Sequence, residues 1–148
     1  MVSCVTCDKH QVNTAELVLS AEYFKVFHYP QENGSDPAKA YLLVEASRHV
    51  ESFSELTASE SSELGLLISR LSAVIESEFS AEHVYVFRIG DMVRHLHFHL
   101  VPRYSGTPQE FYGDKIRSYH DGLTADRAMM ADVIEKIKIA FERLSKDV

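Results

Sequence analysis

Three histidines stand at alternate positions in one short run, His95-Leu96-His97-Phe98-His99-Leu100-Val101. In an extended chain successive side chains point to opposite faces, so the three imidazoles share one face and Leu96, Phe98 and Leu100 share the other. An apolar face packs on a core, which turns the imidazole face toward a polar cleft. Three rings buried side by side leave several ring nitrogens competing for partners unless a ligand or a metal answers them. A neutral imidazole is both a nucleophile and a metal ligand, and it titrates close to physiological pH. All three cannot converge on one ion. Same-face Cα atoms lie about 6.7 Å apart, which separates the outer pair by about 13 Å, whereas Zn–N bonds are about 2 Å. Two of the rings can share a metal, so the three must divide their roles.

Cys4 and Cys7, the only cysteines, sit three apart. That spacing suits one corner of a zinc tetrahedron or a redox pair before it suits a structural disulfide. Its bland alternative is two unbound thiols near a chain terminus. Arg94 and Arg103 flank the histidine run, either as sources of positive potential or as solvated surface residues. Acidic residues outnumber Lys plus Arg by 22 to 15, a formal charge of −7. No cations cluster, so a nucleic-acid backbone is excluded as the main partner. A small phosphorylated ligand needs local positive charge to offset that balance. No apolar run is long enough for a membrane span, and the N-terminus lacks a basic region followed by an apolar stretch. The expected location is the cytoplasm.

The elements that must position these residues follow from periodicity and turn chemistry. The length, 148 residues, suits one domain. The first dozen residues read as a knuckle or loop around the cysteines. Residues 16–19 and 22–28 have strand character, 30–37 is a turn-rich connection, and 40–45 is a short apolar strand. Thr57-Ala58-Ser59-Glu60 has the form of a capping box. It opens a helix with Leu64, Leu67, Ile68, Leu71, Val74 and Ile75 at helical spacing. Residues 84–89 form a fourth strand and 95–101 a fifth. About 104–123 is a long loop, and a last helix over about 124–145 buries Met130, Val133, Ile134, Ile137, Phe141 and Leu144. This arrangement predicts an α+β domain with a mainly antiparallel five-stranded sheet, a long central helix and a C-terminal helix.

His-Leu-His-Phe-His-Leu-Val, followed by Pro102 and Arg103, resembles the signature of the histidine triad (HIT) superfamily of nucleotide hydrolases and transferases. The element order is similar over nearly the whole chain, and Arg48-His49-Val50-Glu51 resembles the family's "K/R-x-H" end of its third strand. The resemblance implies that the middle histidine, His97, is a nucleophile that forms a covalent nucleotidyl-histidine, with His99 donating to a phosphate oxygen. In the branch with an N-terminal Cys-x-x-Cys it implies structural zinc on Cys4, Cys7, His49 and His95, with about 1–14 as a zinc knuckle. It also implies a homodimer, to which the aromatic stretch with Phe111, Tyr112 and Tyr119 contributes either by completing a neighbour's site or by covering its own. His10, His28, His83 and His120 are expected at surface or packing positions.

The sequence departs from the family pattern at several places. Gly90-Asp91-Met92-Val93-Arg94 replaces a Gly-Gln-Ser-like stretch before the triad. Asp91 is there either a general acid toward the leaving group or a turn residue. Tyr29 stands at the ribose-binding aspartate and is expected to contact substrate. Tyr41 stands at a histidine, and Ala46-Ser47 replaces Pro-Lys. The resemblance therefore implies a hydrolase or nucleotidyl transferase acting on a nucleoside phosphate, dinucleoside polyphosphate or phosphoramidate, and leaves base and leaving group open. Two rivals stand beside it. One is a zinc-stabilised nucleotide-binding or regulatory module with little turnover. The other is a metal-dependent hydrolase with triad histidines on a catalytic ion.

Overall fold

Leu17–Ser20 (β1), Phe24–His28 (β2), Leu42–Ala46 (β3), His83–Phe87 (β4) and His97–Arg103 (β5) form one antiparallel sheet in the spatial order β1-β2-β3-β5-β4. A short helix, Val5–His10 (α1), precedes the sheet; Ala58–Phe79 (α2) separates β3 from β4, and Arg127–Lys146 (α3) ends the chain. The computed structural model describes residues 3–147. The α+β class and five-stranded antiparallel sheet are those expected from the sequence.

One sheet face is apolar. Val26, Leu42, Val44, Phe98 and Leu100 meet Leu64, Leu67, Leu71, Val74 and Ile75 of α2 and Met130, Val133, Ile134 and Ile137 of α3, all buried in one cluster. The capping box at the start of α2 forms as expected: Thr57 Oγ1 accepts from the Glu60 N–H at 3.2 Å, and Glu60 Oε2 accepts from the Thr57 N–H at 2.8 Å. Arg48 donates to both Glu60 oxygens at 2.6 and 3.0 Å and holds that carboxyl down at about 2. The pair ties the turn after β3 to the α2 N-terminus, and His49 rides on that turn.

The other face carries His97 and His99. Register partners Glu45↔His97, Leu43↔His99 and Phe87↔His99 place these side chains on one side of the sheet.

The first four strands differ from expectation by one or two residues at their ends, and four larger differences stand beside these. The fifth strand begins at His97, not His95, and runs on to Arg103. His95 lies just before it because Leu96 pairs with two partners around the turn after β3: its N–H donates to Val50 O at 2.7 Å, and its carbonyl accepts from Ala46 N–H at 3.0 Å. The segment expected as a knuckle or loop contains the helix α1, capped by Cys4, whose Sγ accepts from the Cys7 N–H at 3.4 Å. Residues 104–123 contain two 3-10 turns, Gln109–Phe111 and Gly113–Ser118, and the second buries Ile116 against Tyr41 and Val101. The last helix starts three residues late, at Arg127, where Asp126 accepts from the Met129 N–H, while Thr124 pairs in a bridge with Ala38. Among the described residues no helix is long and apolar enough to cross a membrane.

Candidate functional site

The four residues expected to share a metal are brought together. One nitrogen or sulfur from each of Cys4, Cys7, His49 and His95 lies within 4.8 Å of the others. His95 Nδ1 is 3.5 Å from both sulfurs, and His49 Nδ1 is 3.4 Å from Cys7 Sγ. A tetrahedron with Zn–S of about 2.3 Å and Zn–N of about 2.05 Å has an S···N edge of about 3.6 Å, so the donor spacing fits that metal. Its assembly is local. The first turn of α1 puts both sulfurs at one corner, and the backbone pairing of Leu96 with Val50 sets His95 beside His49, their rings 5.3 Å apart. His95 Nε2 lies 2.6 Å from Ala46 O, so that nitrogen carries the proton and Nδ1 offers its lone pair to the cluster. Burial pushes the His95 ring further toward its neutral form. Burial and the neighbouring Cys4 sulfur push the Cys7 thiol up, an effect that a bound cation reverses.

His97 and His99 stand apart from that cluster and next to each other, with ring centroids 5.1 Å apart at 60°. His97 is half-buried, and its Nδ1 is 2.7 Å from His95 O. A carbonyl only accepts, so the Nδ1 of His97 is protonated and the neutral ring keeps its lone pair on Nε2. His99 is buried, with Nδ1 2.6 Å from the Tyr41 hydroxyl. Burial, then the Arg117 charge and then His97, lower its pKa to about 3, so its ring is neutral.

The remaining candidates divide. Tyr29 is stacked on Tyr41 at 4.2 Å and lies 6.1 Å from the His99 ring. Arg103 ends β5 on the site face, but its guanidinium already has company: it donates to the Tyr85 hydroxyl at 2.9 Å and lies 3.9 Å over the Tyr112 ring. Asp91 and Arg94 are exposed on the bend before the triad, and neither makes a hydrogen bond or ion pair among the described residues. Their flexible neighbour Met92 is 95% exposed.

Sequence reasoning passed over two groups. Arg117, from the second 3-10 turn, donates through Nε to the Tyr41 hydroxyl at 3.2 Å and brings positive charge toward His99. Glu45, register partner of His97, is buried and accepts from Lys9 and from His10, the latter at 2.8 Å. Lys9 lies 4.0 Å over the Phe27 ring, and His10 stacks on the same ring at 5.7 Å. The helix that carries the cysteines thus also walls the site face beside His97. A lone carboxylate inside Tyr-Leu-Leu-Val-Glu-Ala was the available signal for Glu45; Arg117 had none. Of the four histidines expected at surface or packing positions, His28 is buried between Tyr29 O and the Ala40 N–H, and the His10 side chain is buried against Glu45.

Comparison with known proteins agrees with this geometry. The sequence profile of the HIT domain matches residues 11–106. No curated protein is similar enough in sequence to count as a match. Among solved structures, a zinc-bound histidine triad family protein from Mycobacterium smegmatis superposes with a TM-score of 0.72 at 17% identity, covering 99% of this chain and 98% of that one. A hypothetical histidine triad nucleotide-binding protein from Sulfolobus tokodaii strain7 gives 0.71 at 20% identity, with 98% and 96% covered. Plasmodium falciparum diadenosine triphosphate hydrolase, in complex with cyclomarin A, gives 0.64 at 14% identity, with 89% and 80% covered.

Proposed function

The chain belongs to the HIT domain family, and from that premise we propose that it is a hydrolase or nucleotidyl transferase acting on a nucleoside phosphate, dinucleoside polyphosphate or phosphoramidate through a covalent intermediate on His97. The observation that carries this reading is the hydrogen bond from His97 Nδ1–H to His95 O, which leaves Nε2 as the lone-pair nitrogen on the open side of the ring. Nε2 attacks the α-phosphorus; a P–N bond forms, and the bond to the leaving group breaks with its electron pair departing on the leaving atom. The imidazolium formed keeps its Nδ1–H on the His95 carbonyl. His99 donates to a non-bridging oxygen and stabilises charge as it develops. Water then attacks phosphorus, releasing the nucleotide and restoring His97.

In this reading Cys4, Cys7, His49 and His95 hold a structural zinc, because a closed Cys2His2 shell leaves no position for substrate. Among the described residues His97 and His99 belong to no group of three or more potential metal ligands, which favours a nucleophile over a catalytic ion. Tyr29 and Arg103 border the substrate on the site face, while Asp91 and Arg94 meet it only where a leaving group reaches the exposed bend. The working form is a homodimer in the cytoplasm. Ile116 packs on its own chain's Tyr41 and Val101, which supports a loop that covers its own site over one that completes a neighbour's.

The test is a screen of adenosine and guanosine phosphoramidates, dinucleoside polyphosphates and nucleoside monophosphate esters with the purified chain and its His97→Ala variant. Turnover that is lost in the variant is expected. A wild-type protein that binds these compounds and converts none of them is the binding module instead, and a mass that stays monomeric at micromolar concentration removes the dimer.

A further inference from the structure

Tyr41 links His99 to Arg117, with Tyr29 stacked on it, and one arrangement of their hydrogens satisfies every donor in the group. Arg117 Nε–H can only donate, and it lies 3.2 Å from the Tyr41 oxygen. That oxygen is 2.6 Å from His99 Nδ1. Tyr41 is buried, and burial pushes its pKa up, so the hydroxyl keeps its proton. The proton must go to an acceptor. Arg117 has none to give, and the oxygen of the stacked neighbour Tyr29, which donates to Glu32 at 2.7 Å, makes no hydrogen bond with the Tyr41 hydroxyl. The one acceptor at hydrogen-bond distance is the lone pair of His99 Nδ1. If His99 instead carried its proton on Nδ1, two donors would point at the Tyr41 oxygen and its own hydrogen would be buried without a partner, at a cost of about 1–3 kcal/mol.

We propose that Arg117 and Tyr41 are positioning residues that hold His99 as the Nε2–H tautomer, by a relay running from Arg117 Nε–H to the Tyr41 hydroxyl and from that hydroxyl to His99 Nδ1. The two triad rings are thereby set in opposite senses. His97 is pinned at Nδ1 as a donor and presents a bare Nε2; His99 is pinned at Nδ1 as an acceptor and presents Nε2–H. One ring attacks phosphorus while the other donates to its oxygen, without any proton moving first. Arg117 lies beyond residues 11–106, the part matched by the HIT domain profile, so this chain reaches into its own site with a residue from its long connecting segment. The chemical meaning of the relay rests on the proposed phosphoryl transfer, whereas the relay itself is a statement about one proton.

The experiment therefore separates the two. Nitrogen-15 NMR of the full chain with labelled histidine reads the tautomer of each ring without any substrate. The expected result is a His99 signal of the Nε2–H form in the wild type and a mixture of tautomers in Tyr41→Phe and Arg117→Met, with Arg117→Lys closer to wild type. A wild-type His99 protonated on Nδ1 overturns the relay, as does a tautomer unmoved in both variants. Kinetics with the nitrophenyl ester of AMP add a second readout: kcat is expected to fall about tenfold in Arg117→Met with KM little changed, since the effect passes through His99. A rise in KM at unchanged kcat overturns the positioning role and makes Arg117 a binding group. No turnover by the wild type strikes the phosphoryl-transfer reading and leaves the NMR arm to decide the relay.

Discussion

Glu45 and His97 are register partners across β3 and β5, yet the hydrogen bonds of Glu45 go to Lys9 and His10 of α1 and not to His97. The carboxylate is buried, so its ion pair with Lys9 and its hydrogen bond from His10 are what make it tolerable there. Glu45→Gln keeps the volume, removes the charge and leaves Lys9 facing a neutral amide. The expected loss of stability is about 1–3 kcal/mol, read from urea denaturation. A variant as stable as wild type would mean that α1 is held by its cysteines alone.

Metal content is the second expectation. Protein purified without added metal should hold about one zinc per chain. The Cys4→Ser, Cys7→Ser double variant should hold none and melt lower, since both α1 sulfurs are lost to the cluster. Full zinc in that variant would show that other residues are the ligands.

His95 and His97 should fail differently. His97→Ala is expected to abolish turnover while keeping zinc and melting temperature close to wild type, because its ring touches the His95 carbonyl and none of the four donors. His95→Ala removes a ring that is 1% exposed, so metal and stability go first. An active His97→Ala protein beside a folded but dead His95→Ala protein would exchange the two roles and favour metal catalysis.

Acid should destabilise the fold through its buried neutral histidines. Burial lowers the pKa of His99 to about 3 and lowers that of His28 as well. The unfolded chain takes up protons on these rings below about 6.5 while the native chain does not. Since stability rises with pH wherever the unfolded state binds more protons, it should decline steadily from about pH 6.5 toward pH 3. Denaturant titrations at pH 7 and pH 5 measure the loss, and His99→Gln should lose less than wild type over that interval. Zinc release weighs on both proteins alike, so an equal loss would remove His99 from the account.

How much of this was legible in the sequence depended on whether a residue's neighbours lie close along the chain. Thr57 and Glu60 close a capping box within one turn, and the apolar spacing that follows does not depend on tertiary context. The triad's alternation and the Cys4/Cys7 pair were readable because residue type itself limits the chemistry, whereas His49 and His95 entered the ligand set only through the family resemblance. The Cys4-Val5-Thr6-Cys7 stretch gave a ligand pair but no helix, since six residues form a stable helix only where tertiary contacts supply what propensity cannot. Extending the strand back to His95 failed for a related reason: alternation continues through Leu96, while the backbone bonds there go to Val50 and Ala46 around a turn. Arg117 was invisible because a 3-10 turn in a long connection carries no period, and its partner Tyr41 is 76 positions away.

The backbone of His95 does something its ring does not. The ring sits in the four-residue cluster, while the carbonyl of the same residue accepts from His97. Position at the reacting ring is thus inherited from two directions, the β5 ladder behind it and an anchored residue two places ahead. Neither route passes through residues 88–94, the exposed bend that bears Asp91, Met92 and Arg94. Drift in that bend meets His95, held by its ring and by the backbone bonds of Leu96, before it reaches His97. Such a segment is raw material for evolution: it can be rewritten while the His97 ring stays where it was.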